Sequence, residues 1–157
     1  MVEGLWFNGK TLHSHCRNGS SILPGSTMNS RQIGNFGEKI AENYLKNKEY
    51  QILDRNYSSR SLDGPLKGEI DLVAKKFDII SFIEVKTLKG NGEQFAAIAP
   101  EDKVNLGKQR KLVRAAESWL MKRRIPLDTK WQIDVIAITL NSNKKINLSH
   151  FPNAIPY

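Results

Sequence analysis

The 157-residue sequence predicts one α/β domain, in which a central mixed sheet packs between two helices in the order α-β-β-β-α-β. Apolar residues recur at helical spacing over about residues 33–48 and 102–124. Three predicted strands separate these helices, and residues 131–140 add a buried fourth strand. Because the second helix connects the third strand to the fourth, it can be the crossover that makes these two strands parallel.

The first half of the chain predicts the helix at residues 33–48 and then a strand at about residues 50–57, with Ile52 and Leu53 as its main apolar side chains. Residues 58–67 predict a loop, because the Asp-Gly-Pro sequence in their middle is typical of turns. A hairpin over about residues 68–86 follows this loop.

The second half predicts a long helix and a buried strand. One apolar stripe runs along the helix at residues 102–124, and Pro126 follows its end. The stripe consists of Leu112, Ala115, Ala116, Trp119 and Leu120. Residues 131–140 contain the run VIAI, which is typical of a strand buried on both faces. Residues 144–150 predict an additional edge strand.

Residues 1–30 differ in composition from the rest of the chain. They are rich in Gly, Ser and Asn and have neither helical nor strand periodicity. We therefore predict a poorly ordered N-terminal extension at residues 1–30 and one folded domain at residues 31–157.

The composition indicates a polyanionic partner. The chain contains 24 Lys and Arg against 16 Asp and Glu, a formal net charge of +8, which favours nucleic acid. No apolar run approaches the length of a membrane span, and the first residues lack the pattern of a secretory signal. The single cysteine, Cys16, excludes an internal disulfide. We expect a cytoplasmic protein without a membrane partner.

In the predicted hairpin, residues 68–74 and 82–86 together carry three carboxylates and one lysine among apolar residues. Successive strand residues point to opposite faces of a sheet. On the first strand this alternation gives one face to Ile70, Leu72 and Ala74. It gives the opposite face to Glu69, Asp71 and Val73. On the second strand it gives one face to Ile80, Phe82, Glu84 and Lys86.

The position of the hairpin turn decides which carboxylates face each other. A two-residue turn at positions 77–78 places Asp71 directly opposite Glu84. A turn at positions 76–77 places Glu69 opposite Glu84 and makes Asp71 its diagonal neighbour. Either register brings the carboxylates onto one face, about 5 to 8 Å apart.

Carboxylates that face each other need compensation, because like charges repel and their burial is costly. A hard divalent cation such as Mg²⁺ or Mn²⁺ commonly binds one or two carboxylates and keeps several waters. Lys86 lies two residues after Glu84 and points to the same place. A carboxylate pair with an adjacent lysine is suited to metal-assisted hydrolysis of phosphodiesters.

Asp71 followed by Glu84-Val85-Lys86 after a turn resembles the PD-(D/E)xK nuclease signature. More closely, about residues 33 to 140 resemble the YraN-like family of small uncharacterised bacterial proteins, which are similar to archaeal Holliday-junction resolvases. The other matching pieces are Gly37-Glu38 with Ala41 and Tyr44-Leu45, Arg55-Asn56-Tyr57, Gly68-Glu69-Ile70 with Leu72, Phe82-Ile83 and Thr87, Lys108-Gln109 with Leu112, and Asp134-Val135. Residues 58–67 are longer than the usual loop of that family.

The resemblance implies a restriction-endonuclease-like sandwich, so that residues 31–157 form a nuclease-like domain. It implies a metal-dependent endonuclease that acts on branched or flap DNA, with DNA favoured over RNA as partner. Asp71, Glu84 and Glu38 are then expected to bind Mg²⁺ or Mn²⁺, and Lys86 to position water or stabilise negative charge. The sequence leaves open whether the chain forms a homodimer.

Polar residues of the second helix are candidates for substrate contact. Lys108 and Gln109 precede Leu112 by four and three residues, so they extend its apolar face. We predict that these two residues contact phosphate or water and that Glu69 supports the metal ligands. Six basic residues predict the nucleic-acid contact of this helix, namely Arg110, Lys111, Arg114, Lys122, Arg123 and Arg124.

Asp134 interrupts the apolar strand at residues 131–140. A buried carboxylate needs a partner. We therefore expect Asp134 to pair with a basic group, for which an Arg or Lys of the second helix is the candidate.

Two other functions fit part of the sequence. A non-catalytic module would bind nucleic acid and work with a partner protein. A basic ribosome-associated protein fits the net charge, but it does not explain the acidic residues of the hairpin.

Overall fold

A computed structural model of the chain describes residues 5–7, 10–12, 28–60, 66–90, 104–126, 128–141 and 146–156. Within these ranges the predicted order of helices and strands is confirmed, and short strands are added at the N-terminal side. The elements are β1 (Leu5–Phe7), β2 (Lys10–Leu12), α1 (Ser30–Asn47), β3 (Gln51–Arg60), β4 (Leu66–Lys76), β5 (Ile79–Lys89), α2 (Leu106–Lys122), β6 (Trp131–Leu140) and β7 (Ile146–Phe151).

Five strands form one mixed sheet in the order β3-β4-β5-β6-β7. Neighbouring strands are antiparallel except β5 and β6, which are parallel. Helix α2 connects these two strands, which confirms the predicted crossover. Strand β7 lies at the edge of the sheet, as predicted, whereas β1 and β2 pair in a separate hairpin. Most of the predicted extension at residues 1–30 lies outside the described residues, so its disorder stays a prediction.

Each face of the sheet carries a hydrophobic core. Helix α1 covers one face, and its buried residues pack with side chains of β4, β5, β6 and β7. Helix α2 covers the other face, where Trp119 meets the Phe82 ring edge-to-face at 5.5 Å between centroids. Neither of the two described helices is long and apolar enough to cross a membrane.

Both helices begin after an asparagine cap. Asn29 Oδ1 accepts a 2.9 Å hydrogen bond from the Gln32 backbone N–H, and Gln32 Oε1 accepts one from the Asn29 N–H at 3.0 Å. Asn105 Oδ1 accepts a 2.9 Å bond from the Lys108 backbone N–H. These caps make α1 begin earlier and α2 later than the apolar periodicity predicts.

The connection between β3 and β4 is shorter than predicted. Strand β3 continues to Arg60 and β4 begins at Leu66, so both ends of the predicted loop at residues 58–67 are strand. Gly68 pairs with Ser59, and a Cβ on Gly68 would overlap the backbone carbonyl of Lys111 in α2. The glycine therefore allows α2 to lie directly on the sheet. Residues 61–65 lie outside the described residues.

Candidate functional site

The β4–β5 hairpin turns at positions 77–78, which confirms the first of the two predicted registers. The paired residues run from Lys76↔Ile79 to Leu72↔Ile83. The regular pairing ends there, and Asp71 and Glu84 are the next residues of the two strands.

The alternation of side chains between the two faces of the sheet is interrupted in β4 at Asp71. The prediction that Ile70 shares a face with Leu72 and Ala74 is therefore wrong. Leu72 packs in the α1 core as expected, but Ile70 packs in the α2 core together with Val73. The paired strand β3 is irregular at the same level, where Asn56 has a φ of 49°. The distortion turns Asp71 toward the backbone of β5 instead of leaving it in a regular ladder.

The carboxylate of Asp71 is held against β5. Its Oδ2 accepts a 2.6 Å hydrogen bond from the backbone N–H of Val85, the residue after Glu84. Burial, followed by the negative charges of Glu84 and Glu38, raises the pKa of Asp71 to about 7, although the Val85 N–H and Lys108 act in the opposite direction. Asp71 therefore binds a proton or a cation more readily than an ordinary aspartate does.

Glu84 is the most buried charged residue of this site, at 2% exposure. Its Oε1 lies 2.8 Å from Lys86 Nζ. Its Oε2 lies 3.2 Å from Lys108 Nζ, an ion-pair distance, but among the described residues no donor is aligned with it for a hydrogen bond. The two lysine side chains are 37% and 31% exposed, so they connect the buried carboxylate to solvent.

Helix α1 brings Glu38 toward the same end of the sheet. The neighbouring Gly37 is buried against Thr87 of β5, and a Cβ at Gly37 would overlap Thr87 Oγ1. This close packing places the charge of Glu38 near enough to contribute to the raised pKa of Asp71. The structure thus brings together Glu38, Asp71, Glu84, Lys86 and Lys108.

The two carboxylates of Asp71 and Glu84 fit a divalent cation. Carboxylate oxygens are the ligands that Mg²⁺ and Mn²⁺ prefer, and Mg²⁺ is often held by only one or two of them. The unaligned Oε2 of Glu84 offers such a ligand. In the described part of the chain no group of three or more His, Cys, Asp or Glu could hold a metal ion together, so the predicted role of Glu38 as a third ligand stays a prediction.

Two predicted supporting residues lie in other surroundings. Glu69 is exposed, next to the buried Ile70 that faces α2. Gln109 Nε2 donates a 2.8 Å hydrogen bond to the carbonyl of Val104, so its amide holds the segment before α2. Their proposed contacts with substrate or metal ligands stay predictions.

The six basic residues predicted on α2 and at its end are all exposed, but they form two groups. Arg110, Lys111 and Arg114 lie in the first half of the helix, which begins beside Lys108. The other three lie at its C-terminal end, where Arg123 pairs with Asp54 at 2.7 Å and stacks on the Trp119 ring at 4.2 Å. The first group is therefore the one that adjoins the carboxylates.

Asp134 pairs with the imidazole of His150, so a basic partner is found as predicted, but the choice of an Arg or Lys of α2 as that partner is wrong. Its carboxylate accepts hydrogen bonds from Gln132 Nε2 at 2.8 Å and from the backbone N–H of Asn153 at 2.9 Å, and its Oδ2 lies 3.0 Å from His150 Nε2. His150 belongs to β7, which pairs with β6 and brings the ring to Asp134. The group ties the edge strand to the sheet.

Sequence reasoning missed two features of the hairpin. Thr87 lies under α1, and the buried Gly37 next to Glu38 was the available signal for that contact. Phe77 occupies the hairpin turn and is 84% exposed. The sequence indicated this exposed ring only by placing an aromatic residue at a predicted turn position.

Comparisons with known proteins identify a family. The model described as "Uncharacterised protein family UPF0102" matches residues 37–138. A UPF0102 protein of Clostridium tetani (strain Massachusetts / E88) is 43% identical over 117 residues, which cover 73% of this chain and 87% of that protein. A UPF0102 protein of Geobacter metallireducens is 38% identical over 128 residues, which cover 82% of this chain and 95% of that protein. These matches agree with the YraN-like resemblance, and the chain belongs to the uncharacterised protein family UPF0102.

Proposed function

We propose that this protein binds nucleic acid and hydrolyses phosphodiesters as a Mg²⁺- or Mn²⁺-dependent endonuclease, with branched or flap DNA as substrate. One observation carries the proposal. Lys86 and Lys108, from a strand and a helix, converge on the buried carboxylate of Glu84 at 2.8 and 3.2 Å, beside a second carboxylate with a raised pKa. Perturbed carboxylates with convergent cations are more typical of a chemical site than of a structural one.

Asp71 and Glu84 are the residues that would hold the cation, with Glu38 adding negative charge from α1. The cation would polarise the phosphate and lower the pKa of a bound water. The hydrogen bond from Val85 N–H to Oδ2 fixes the carboxylate of Asp71, so Oδ1 would be the oxygen that meets the cation.

The two lysines would act on the phosphate. In the structure described above they neutralise Glu84. Once a cation takes over that neutralisation, the ammonium groups are available for a phosphate, which gathers negative charge during hydrolysis. Lys86 is closer to Glu84 and would orient the attacking water, whereas Lys108 would clamp the phosphate from α2.

Attraction of the nucleic acid has to come from outside the carboxylates, which repel phosphates. Arg110, Lys111 and Arg114 are exposed on the helix that carries Lys108, and within the described residues they form no ion pair. These three residues would bring the substrate backbone to the site.

A non-catalytic nucleic-acid-binding module is the second candidate. It is favoured by the absence, among the described residues, of a third carboxylate or histidine close enough to join Asp71 and Glu84 around a metal. A module of this kind keeps the basic surface but would gain nothing from carboxylates that repel its ligand.

The deciding experiment incubates the protein with branched, flap, duplex and single-stranded DNA and with RNA, in Mg²⁺, Mn²⁺ or EDTA. We expect metal-dependent cleavage of the branched or flap substrates by wild type and none by Glu84→Gln, which keeps the size of the side chain and removes its charge. Glu117→Gln, on the exposed side of α2, is the matched control. Binding by wild type without cleavage in any metal supports the non-catalytic module instead.

A further inference from the structure

The turn of the β4–β5 hairpin holds an aromatic residue that the proposed catalytic site does not use. Phe77 is 84% exposed, and its φ of 54° lies in the left-handed region. That region is unfavourable for a bulky side chain, whereas Asn or Gly would occupy the turn at lower cost. The fold therefore presents this ring to solvent at some expense of stability, a pattern that is concentrated at functional sites.

Three lysines lie at the hairpin turn, and one of them lies next to the ring. Lys76 Nζ lies 5.4 Å from the centroid of Phe77. Lys130 Nζ pairs with Asp78 at 2.6 Å, and Lys75 lies near enough to Asp78 to help lower its pKa. Three lysines and one aspartate thus lie at the turn that carries the exposed ring. We call Lys75, Lys76, Phe77 and Lys130 the turn surface.

The turn that follows α1 supports this surface without changing its charge. Lys76 Nζ donates a 2.8 Å hydrogen bond to the carbonyl of Lys48, so the base of the hairpin turn is fixed to the end of the helix. The exposed side chains of Lys48 and Glu49 carry opposite charges and cancel. The turn surface therefore keeps its positive charge.

We propose that the turn surface binds single-stranded nucleic acid, with Phe77 stacking on a base and the three lysines contacting the flanking phosphates. An exposed aromatic ring among cations is the arrangement with which proteins bind single strands without reading their sequence. A paired base cannot stack on the ring, because both of its faces are covered within a duplex. The surface therefore selects unpaired nucleotides.

The turn surface is separate from the carboxylates. Five residues of β4, at positions 72–76, lie between Asp71 and Phe77, and the six steps along the chain correspond to about 20 Å. A duplex at the carboxylates would thus leave the turn surface free for an unpaired strand of the same substrate. This inference rests on the proposed function and narrows its substrate to nucleic acid that has both a paired and an unpaired part.

The test measures binding of a labelled oligothymidylate and of a blunt duplex by fluorescence anisotropy. Phe77→Ala should weaken oligothymidylate binding about fivefold or more, the range of one lost base–aromatic stack, with little effect on the duplex. Phe77→Trp should bind oligothymidylate about as well as wild type does, because it keeps an aromatic ring at this position. Phe77→Asn should weaken binding while it raises the melting temperature, because it relieves the backbone without offering a ring. Leu106→Ala, which removes another exposed apolar side chain (72% exposed), is the control.

The lysines are tested through the salt dependence. Replacing Lys75, Lys76 and Lys130 together by Gln should make the log–log salt slope for oligothymidylate shallower by about two units. An unchanged slope, or wild-type oligothymidylate binding by both Phe77→Ala and Phe77→Asn, overturns the proposal. Binding to phosphatidylserine vesicles that requires Phe77, with no such requirement for oligothymidylate, also overturns it in favour of a membrane surface.

The outcomes separate this inference from the proposed function. If Arg110, Lys111 and Arg114 are needed for duplex binding while the Phe77 variants are silent, only the turn surface is refuted. If wild type binds neither oligothymidylate nor duplex nor branched DNA, both proposals fail.

Discussion

The β4–β5 hairpin carries lysine–carboxylate pairs at both of its ends, but it buries the carboxylate at only one. Glu84 is 2% exposed and is approached by two lysines. At the turn, the side chains of Asp78 and Lys130 are 64% and 72% exposed. Water screens the exposed pair, whereas the buried carboxylate interacts strongly with every charge nearby. The same residue types are therefore strongly coupled at one end of the hairpin and screened by water at the other.

The largest difference between the two ends should appear in catalysis. Lys86→Ala and Lys108→Ala should each lower turnover about 100-fold or more, the usual cost of removing a group that stabilises transition-state charge. Lys130→Ala, from the turn end, should change the turnover number on the same branched substrate far less, because this exposed lysine would contribute only to binding. Initial rates under saturating Mn²⁺ measure this difference.

Metal binding separates the role of the lysines from that of the carboxylates. Mn²⁺ should still raise the melting temperature of Lys86→Ala, because lysine is not a ligand, but not that of Asp71→Asn. Wild-type turnover in Lys86→Ala, on a substrate that Glu84→Gln cannot cleave, would show that this lysine has another role.

The second difference concerns pH. The pKa of Asp71 is about 7 in the folded protein, chiefly through burial and then through Glu84, against a reference value of 3.8. Between these two pH values the folded protein holds a proton that the unfolded chain has released, so stability falls as pH rises through this window. The shift corresponds to at most about 4 kcal/mol, and solvent near the site reduces it.

Urea unfolding in EDTA between pH 4 and pH 8 measures this effect. The decrease in unfolding free energy with rising pH should be clear in wild type and smaller in Asp71→Asn. Asp78→Asn, at the turn, is the control and should follow wild type, because the pKa of Asp78 lies below its usual range through its bond to Lys130. Identical pH profiles of wild type and Asp71→Asn would contradict the conclusion that the raised pKa of Asp71 causes this pH dependence.

The sequence predicted those parts of the molecule that depend on short-range patterns. The bounds of β6 agree with the prediction of residues 131–140, because a strand buried on both faces leaves an unbroken apolar run. Period-two alternation also placed Glu84 and Lys86 together, and the structure joins them by an ion pair.

The parts that were not predicted depend on contacts between distant segments. Ile70 lies on the unexpected face because β4 is distorted opposite Asn56, which is 14 residues away in the sequence. Asp134 pairs with His150 because β7 docks beside β6, and no local pattern reveals that pairing. The candidate site itself depends on Lys108 reaching Glu84 from α2, for which the sequence offered only a position on the apolar stripe.

A third difference lies within helix α1, where two glycines have opposite surroundings. A Cβ at Gly37 would overlap Thr87 Oγ1, whereas a Cβ at Gly34 would meet no described atom within 4 Å. Gly37→Ala should therefore lower the unfolding free energy by about 1–3 kcal/mol through overpacking. Gly34→Ala should raise it by about 0.5–1 kcal/mol, because alanine favours the helix.

Thermal unfolding followed by circular dichroism distinguishes the two variants. Because Gly37 holds Glu38 near the carboxylates, Gly37→Ala should also weaken the Mn²⁺-induced rise in melting temperature, and Gly34→Ala should not. If Gly37→Ala unfolded at the same temperature as wild type, α1 would be able to move away from β5 without loss of stability.

The smallest effect is expected from the ion pair at the hairpin turn. Lys130 and Asp78 are joined at 2.6 Å, but water competes for both groups, and fixing two long side chains costs entropy that offsets their attraction. Lys130→Ala should therefore leave the melting temperature unchanged within error at both low and high salt. Its counterpart at the buried end, Lys108→Ala, should lower the melting temperature, because it leaves the buried carboxylate of Glu84 with less compensation. If the two variants melted alike, burial of the carboxylate would not be what distinguishes the ends of the hairpin.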